Sequence, residues 1–170
     1  MTNQIIAKKE FSATRINQLK EKLSASKSLC KQQGLCIYTT GSYGRLEAGE
    51  TSDIDLFFLK SNKDESVSKI DKTLTDADII ISCREMDFPE FSGDGEYLEI
   101  HDVYSMHKEL GGRYDDYHNY FTARILLLLE SKPLYNEELY YSLVRDIINK
   151  YYTDFDKHES EFEPIFLLTT

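Results

Sequence analysis

Two acidic residues separated by one apolar residue form the part of this sequence best suited to chemistry. Asp53 and Asp55 lie in the run Ser52-Asp53-Ile54-Asp55-Leu56. Because successive side chains of a β-strand point to opposite faces, we expect both carboxylates on one face, about 7 Å apart. Hard divalent cations such as Mg²⁺ prefer oxygen ligands of this kind and complete their shell with water and substrate phosphates. The pair therefore predicts a magnesium site.

A glycine-bearing turn precedes the acidic pair. Gly41 and Ser42 follow the apolar, β-prone run Leu35–Thr39, which predicts a strand, and residues 53–59 predict a second one. Glycine lets backbone N–H groups approach a phosphate together with the Ser42 hydroxyl, and Tyr43 is expected to open a short helix whose positive end faces that phosphate. Two strands that flank one loop would bring the turn and the carboxylates together.

This combination resembles the nucleotidyltransferase superfamily, which shares the catalytic fold of DNA polymerase β. The superfamily pattern is an apolar strand, Gly-Ser or Gly-Gly, a short helix and an acidic-apolar-acidic strand. Within it, Gly44-Arg45, Glu47 and residues 52–56 are most similar to the uridylyltransferases that modify nitrogen-regulatory signalling proteins. The match covers residues 35–60 well, and the rest of the chain only by the order of its elements.

The resemblance implies a transfer reaction. Gly41 and Ser42 would hold the β- and γ-phosphates of a nucleoside triphosphate such as ATP, and Asp53 and Asp55 would bind Mg²⁺ or Mn²⁺. The ions would neutralise the leaving pyrophosphate and polarise the α-phosphate for in-line attack by an acceptor hydroxyl. The implied function is Mg²⁺-dependent transfer of a nucleoside monophosphate.

Two further residues of the motif are assigned to nucleotide binding by the resemblance, Ser52 and Arg45. For Arg45 two roles stay open. An ion pair with Glu47 that braces the loop is the preferred interpretation, and contact with the substrate is the alternative.

A third carboxylate is usual in the superfamily, where it comes from a later strand and often acts on the attacking hydroxyl. We prefer Glu99 as a catalytic residue, because Leu98 and Ile100 would face the core and direct Glu99 to the other side of a strand. Three other acids compete with it: Asp94, Glu96 and Asp102. A site with only two carboxylates is the remaining alternative.

A polar group precedes the apolar run at residues 125–129. Asn119 and Thr122 are three positions apart on a predicted helix and share a face, and Asp115 lies one turn earlier, so the three could line a cleft. Arg124 is expected to meet a phosphate of the nucleotide. The alternative is a cluster of caps and ion pairs at the start of the helix.

Hydrophobic periodicity predicts helices around the two strands, over residues 11–33, 66–85, 103–110 and 114–131 and after the N-cap Asn136. Pro133 predicts only the end of a helix. We expect an α+β fold with a small mixed β-sheet flanked by helices as the catalytic domain, residues 1–112, followed by a helical part, residues 113–170. Because the chain stops in apolar residues soon after Pro164, we also expect it to be a piece of a longer protein.

Composition limits the partners. The 170 residues include 30 acidic and 20 basic ones, for a net charge of -10, which argues against binding to long nucleic acids. No run approaches 18 apolar residues, so no membrane span is expected.

Three cysteines without paired spacing predict reduced thiols in the cytoplasm. The resemblance, rather than the composition, implies that the acceptor is a protein side chain such as tyrosine, or a small molecule; the sequence makes no prediction of the oligomeric state.

Two other interpretations compete. Phosphatases of the haloacid dehalogenase type also use two spaced aspartates, but there the first one ends its strand, whereas residues 56–59 prolong the strand here. The second hypothesis is a non-catalytic regulatory module that retains the fold and binds nucleotide. It is favoured by the lack of an unambiguous third carboxylate and by the abrupt C-terminus.

Overall fold

The computed structural model describes residues 2–32, 34–61, 68–91 and 99–157. In chain order the elements are α1 (Thr2–Ser24), β1 (Leu35–Thr39), α2 (Gly41–Gly44), β2 (Leu56–Lys60), α3 (Lys69–Arg84), β3 (Ile100–Asp102), α4 (Val103–Lys108), α5 (Tyr120–Leu129), β4 (Lys132–Tyr135) and α6 (Glu137–Lys157). A single 3-10 turn, Leu29–Lys31, lies between α1 and β1.

The four strands form one mixed sheet in the order β3-β2-β1-β4. Strand β1 runs antiparallel to β2 and β4, whereas β2 and β3 are parallel. Thr39, the last residue of β1, is paired with Leu56, the first residue of β2, and also with Lys132 of β4. The turn after β1 and the segment before β2 therefore lie at the same edge of the sheet. The predicted α+β class, with helices around a small mixed sheet, is confirmed.

Helices cover both faces of the sheet, because alternate residues of the central strands are apolar on each side. One core joins α1 and α3 to the sheet residues Leu35, Ile37, Leu56 and Phe58. The other core joins α4, α5 and α6 to Cys36, Tyr38 and Leu59. A sheet buried on both faces holds the loops at its edge in fixed positions.

The first helix ends earlier than the periodicity predicted. Helix α1 stops at Ser24 instead of continuing to residue 33. The Ser26 hydroxyl accepts a hydrogen bond from the Leu29 backbone N–H, 3.1 Å, and donates one to Asp78, 2.6 Å. Serine side chains that bond to nearby backbone groups in this way compete with the helix. The four apolar positions of the pattern are nevertheless all buried: Ile16, Leu19, Leu23 and Leu29.

The second half of the chain contains a strand that the sequence analysis missed. Lys132–Tyr135 pairs with β1 at one edge of the sheet, although Pro133 predicted only a helix end. Proline is tolerated in edge strands, where its missing N–H faces away from the sheet. The predicted helix over 114–131 starts later, at Tyr120. Asn136 accepts a hydrogen bond from the Leu139 N–H, 3.3 Å, at the start of α6, as predicted for an N-cap.

Several predictions fall on parts of the chain that the structure does not describe. They concern Asp94, Glu96 and Leu98, and the apolar residues after Pro164. Every helix in the described ranges falls short of the length and apolarity that crossing a membrane requires.

Candidate active site

The glycine turn and the second aspartate are in direct contact. Gly41 opens α2 with a φ of +61°, a backbone conformation that favours glycine. A Cβ atom at this position would collide with Oδ2 of Asp55. In addition, the Thr40 backbone N–H donates a hydrogen bond to the Asp55 carbonyl oxygen, 3.1 Å. The absence of a side chain at Gly41 is therefore what allows the Asp55 carboxylate to lie over the turn.

The two aspartates precede strand β2 instead of lying within it. Strand β2 begins at Leu56, so the predicted strand over 53–59 started three residues too early. The alternation itself is present: Ile54 and Leu56 are buried in the core, while Asp53 is exposed and Asp55 half-buried. Both acidic side chains thus remain available at the sheet edge next to the Gly41 turn.

Asp55 lies in a crowded acidic environment. Burial raises the pKa of its carboxyl group, and the negative charges of Asp53 and Glu130 raise it further, whereas Arg45 acts in the opposite direction. A carboxylate that is both desolvated and surrounded by like charge is stabilised by a cation. The electrostatics therefore favour a bound positive ion at this place.

The donor set fits a magnesium ion that shares its coordination shell with substrate. Asp53 and Asp55 supply oxygen atoms only, which are the ligands of hard divalent cations. Among the described residues, no group of three or more His, Cys, Asp or Glu side chains is placed to hold a metal. Two protein carboxylates without a closed cage suit Mg²⁺, which retains waters and binds substrate phosphates.

The two predicted serines occupy different positions in the loop. Ser42 is half-buried within α2, and its carbonyl oxygen accepts a hydrogen bond from the Glu47 N–H, 2.7 Å. Ser52 closes a turn, because its hydroxyl accepts a hydrogen bond from the Gly49 N–H, 3.0 Å. Helix α2 begins at Gly41, two residues before the predicted start at Tyr43. Ser42 therefore lies beside the Asp55 contact, while Ser52 shapes the loop that leads to Asp53.

Arg45 makes the predicted ion pair with Glu47, whose Oε2 lies 3.0 Å from the arginine Nε. It makes a second ion pair, with Glu130, that the sequence analysis missed. The backbone carbonyl of Glu130 also occupies the space that a Cβ would need at Gly44. The end of α5 is thus held against α2 by both backbone and side chain. Nothing in the sequence pattern indicated this contact, because the partners are far apart in the chain and Glu130 belongs to no motif.

Arg124 is buried and lies in an internal cluster. Its side chain is 1% exposed and pairs with Asp115. The guanidinium also donates to the Met106 carbonyl oxygen and to the Tyr151 hydroxyl, both at 3.0 Å. Burial alone would raise the pKa of Asp115, but hydrogen bonds from Arg124 and from the Gly111 N–H hold it below its ordinary value. These contacts correspond to the ion-pair alternative and leave no guanidinium nitrogen for the predicted phosphate.

Loss of the Arg124 charge is expected to destabilise the fold strongly. Arg124→Met leaves the buried Asp115 carboxylate without its partner, which should lower the free energy of unfolding by about 3 to 5 kcal/mol. Urea denaturation followed by circular dichroism measures this change. The double variant Arg124→Met, Asp115→Leu should recover most of the loss; a single variant as stable as the wild type would contradict the internal role of Arg124.

A cavity of about 470 Å³ adjoins the acidic edge of the sheet. One wall comes from the sheet and consists of Leu56, Phe57, Glu99 and His101; the other comes from Tyr117, Asn119 and Thr122. Because Ile100 pairs with Phe58, Glu99 adjoins Phe57, two residues beyond Asp55. The predicted polar group therefore divides: Asn119 and Thr122 line a cleft, whereas Asp115 is buried in the ion pair with Arg124.

Glu99 and its competitor Asp102 have different surroundings. Glu99 is exposed and lies directly before β3. Asp102 caps α4, because its carboxylate accepts hydrogen bonds from the N–H groups of Tyr104, 3.3 Å, and Ser105, 3.1 Å. Of these two acids, Glu99 is therefore the one that lines the cavity, whereas the Asp102 carboxylate is bound to a helix end.

The comparisons with known proteins identify a family for this chain. A family model described as nucleotidyltransferase domain matches residues 16–163, which include the turn, both aspartates and the cavity walls. No curated protein and no solved structure matches the chain significantly. The match spans most of the chain, and the protein belongs to the nucleotidyltransferase domain family.

Proposed function

We propose that the protein transfers a nucleoside monophosphate from a nucleoside triphosphate to an acceptor hydroxyl, with Mg²⁺ bound by Asp53 and Asp55. Family membership supports a transferase activity. The single observation that supports the specific reaction is the contact between Asp55 and Gly41, where a Cβ would collide with the carboxylate. This contact supports the proposal because it brings the carboxylate that we assign to the metal against the turn that we assign to the phosphates.

The chain's own residues divide the work of this reaction. Gly41 and Ser42 orient the β- and γ-phosphates, and Glu99 accepts the proton of the acceptor hydroxyl. The hydroxyl oxygen forms a bond to the α-phosphorus while the bond from that phosphorus to the bridging oxygen breaks, and pyrophosphate leaves with the electron pair. Mg²⁺, when bound, would neutralise the charge that develops on the phosphates.

The finer features of the reaction are also part of this proposal. Residues 44–56 are similar to protein uridylyltransferases, so UTP is the first nucleotide to test, with ATP beside it. The acceptor that we propose is a protein or a small molecule.

The cysteines Cys30, Cys36 and Cys83 are free. Free thiols suit a reducing compartment such as the cytoplasm, and burial raises the pKa of the Cys36 and Cys83 thiols to about 12, so both stay protonated.

Transfer of label from the nucleotide tests the proposal. The protein is incubated with Mg²⁺, cell extract and each nucleoside triphosphate labelled at the α-phosphate, beside an Asp53→Ala, Asp55→Ala double variant. We expect the wild type to label an acceptor and the double variant to label none. Metal-dependent nucleotide binding without any transfer would refute the proposed enzymatic activity. The alternative would then be a non-catalytic module that binds nucleotide, which family membership does not favour.

A further inference from the structure

The cavity beside Asp55 has the size of a small-molecule site. Its volume of about 470 Å³ lies within the range of about 300 to 1,000 Å³ that ligand pockets occupy. It opens between the sheet and the segment that leads into α5, so its two walls come from separate parts of the chain. Leu56 and Phe57 of the sheet wall directly follow Asp55. The cavity therefore lies along the part of the chain that directly follows the proposed metal ligands.

Asn119 is available to such a ligand. It occupies the N-cap position of α5 with a φ of 56°, yet its side chain makes no capping hydrogen bond. The backbone carbonyl of Asp115 takes over this role, since it accepts from the N–H groups of Tyr120, 2.9 Å, and Phe121, 3.4 Å. Asparagine is a preferred N-cap because its side chain satisfies these groups. Here the side chain makes no such bond, and Asn119 is exposed and lines the cavity.

The charges around the cavity exclude one class of ligand. Among the residues that the structure describes, Glu99 is the only carboxylate on its walls, and neither lysine nor arginine lines it. Burial lowers the pKa of His101, which favours its neutral imidazole. A negative ligand would meet a carboxylate and no compensating cation, whereas a neutral or positive ligand would not be repelled.

The remaining walls suit an apolar ring. Phe57 contributes apolar surface, and Tyr117 contributes an aromatic side chain that is 78% exposed. Aromatic side chains gain free energy from packing against other rings in addition to burying apolar area. With Asn119 and Thr122 as hydrogen-bonding groups, the cavity fits a ring that carries a hydroxyl group.

We propose that this cavity is the acceptor site and that it takes small hydroxyl-bearing ring compounds that are neutral or cationic, and rejects anionic ones. The assignment rests on the proposed function, because there Glu99 accepts the proton of the hydroxyl group that receives the nucleoside monophosphate. It excludes nucleotides and RNA ends as acceptors, since both carry phosphate.

Three phenols that differ only in charge test the proposal: tyramine is cationic, tyrosol is neutral and 4-hydroxyphenylacetate is anionic at pH 7. Their dissociation constants are measured by NMR titration of the full chain without nucleotide. We expect tyramine to bind about fivefold or more tightly than 4-hydroxyphenylacetate, as for partly exposed charge pairs, with tyrosol between them. Glu99→Gln should make the three constants equal within about twofold.

A pair of tyrosine variants locates the binding. Tyr117→Ala should weaken all three phenols several-fold, since an aromatic pair contributes about 0.5 to 1.5 kcal/mol. Tyr141→Ala is the matched control, because both tyrosines are exposed and both pack edge-on to a neighbouring ring, Tyr117 to His118 at 5.0 Å and Tyr141 to Tyr140 at 5.1 Å. It should leave the dissociation constants unchanged.

Each contrary result has its own meaning. Equal binding of the three phenols by the wild type, a preference for the anion, or no binding at all would overturn the acceptor cavity. The titration contains no triphosphate, so it measures binding of the phenols independently of transfer. Charge-selective binding by a protein that transfers no nucleotide would therefore refute the proposed function and not the ligand preference of the cavity.

Discussion

Replacing Gly41 by alanine is expected to lower the rate of nucleotide transfer by about 100-fold or more. The new Cβ would collide with Oδ2 of Asp55, so either the carboxylate or the turn must move. Misplacement of a reacting group by about 1 Å can cost about 100-fold in rate. The positive φ at this position adds about 1 to 2 kcal/mol of strain for a residue with a Cβ. Transfer assays and urea denaturation measure the two effects separately.

Alanine variants of two other glycines distinguish the effect of the Cβ collision from the effect of backbone strain. Gly111 also has a positive φ, +70°, but a Cβ there would meet no atom within 4 Å; Gly49 has open space as well and no positive φ. Gly111→Ala should therefore reduce stability and leave transfer within about twofold, and Gly49→Ala should change neither. If Gly41→Ala resembled Gly111→Ala in both assays, the contact between the turn and Asp55 would have no role in transfer.

Replacing Asp55 by asparagine is expected to abolish transfer without destabilising the protein. Loss of one metal-binding carboxylate removes several kcal/mol of charge stabilisation in the transition state, and about 4 kcal/mol corresponds to a 1,000-fold lower rate. The substitution lowers the transfer rate, but it is not expected to lower the free energy of unfolding. Because the pKa of Asp55 is raised in the folded state, its negative charge destabilises the fold at pH 7, and a neutral amide relieves this. The free energy of unfolding should stay equal or rise.

Thermal unfolding with ligands gives a second measurement on this variant. A ligand that binds only the folded state raises the melting temperature. Mg²⁺ with a triphosphate should therefore stabilise the wild type and not Asp55→Asn. Asp146→Asn serves as control, since Asp146 is exposed on α6 away from the turn. An Asp55→Asn variant that transfers at more than a tenth of the wild-type rate would contradict the metal assignment.

The local motif was predictable because it depends on short-range geometry. Strand β1, the glycine turn and the alternation of Ile54 and Leu56 inward with Asp53 and Asp55 outward all follow from residues close in sequence. Even there the start of β2 was predicted three residues early, because strand residues and extended loop residues share the same alternation.

The longer-range features could not be predicted. Arg124 has the charge of a phosphate ligand, and only the packing of α4, α5 and α6 around it shows that Asp115 and Tyr151 occupy its guanidinium. Glu130 meets Arg45 because β4 places the end of α5 beside α2. Strand β4 itself contains a proline, which local preference assigns to a break and only an edge position tolerates.

The phosphate that remains with the acceptor tests the central claim most directly. The protein is incubated with Mg²⁺, an acceptor-containing extract and a triphosphate labelled at either the α- or the γ-phosphate. If Asp53, Asp55 and the Gly41 turn form a nucleotidyl-transfer site, the α-label will appear on the acceptor and the γ-label in pyrophosphate. A γ-label on the acceptor, or its release as inorganic phosphate with no α-label transferred, would contradict the account.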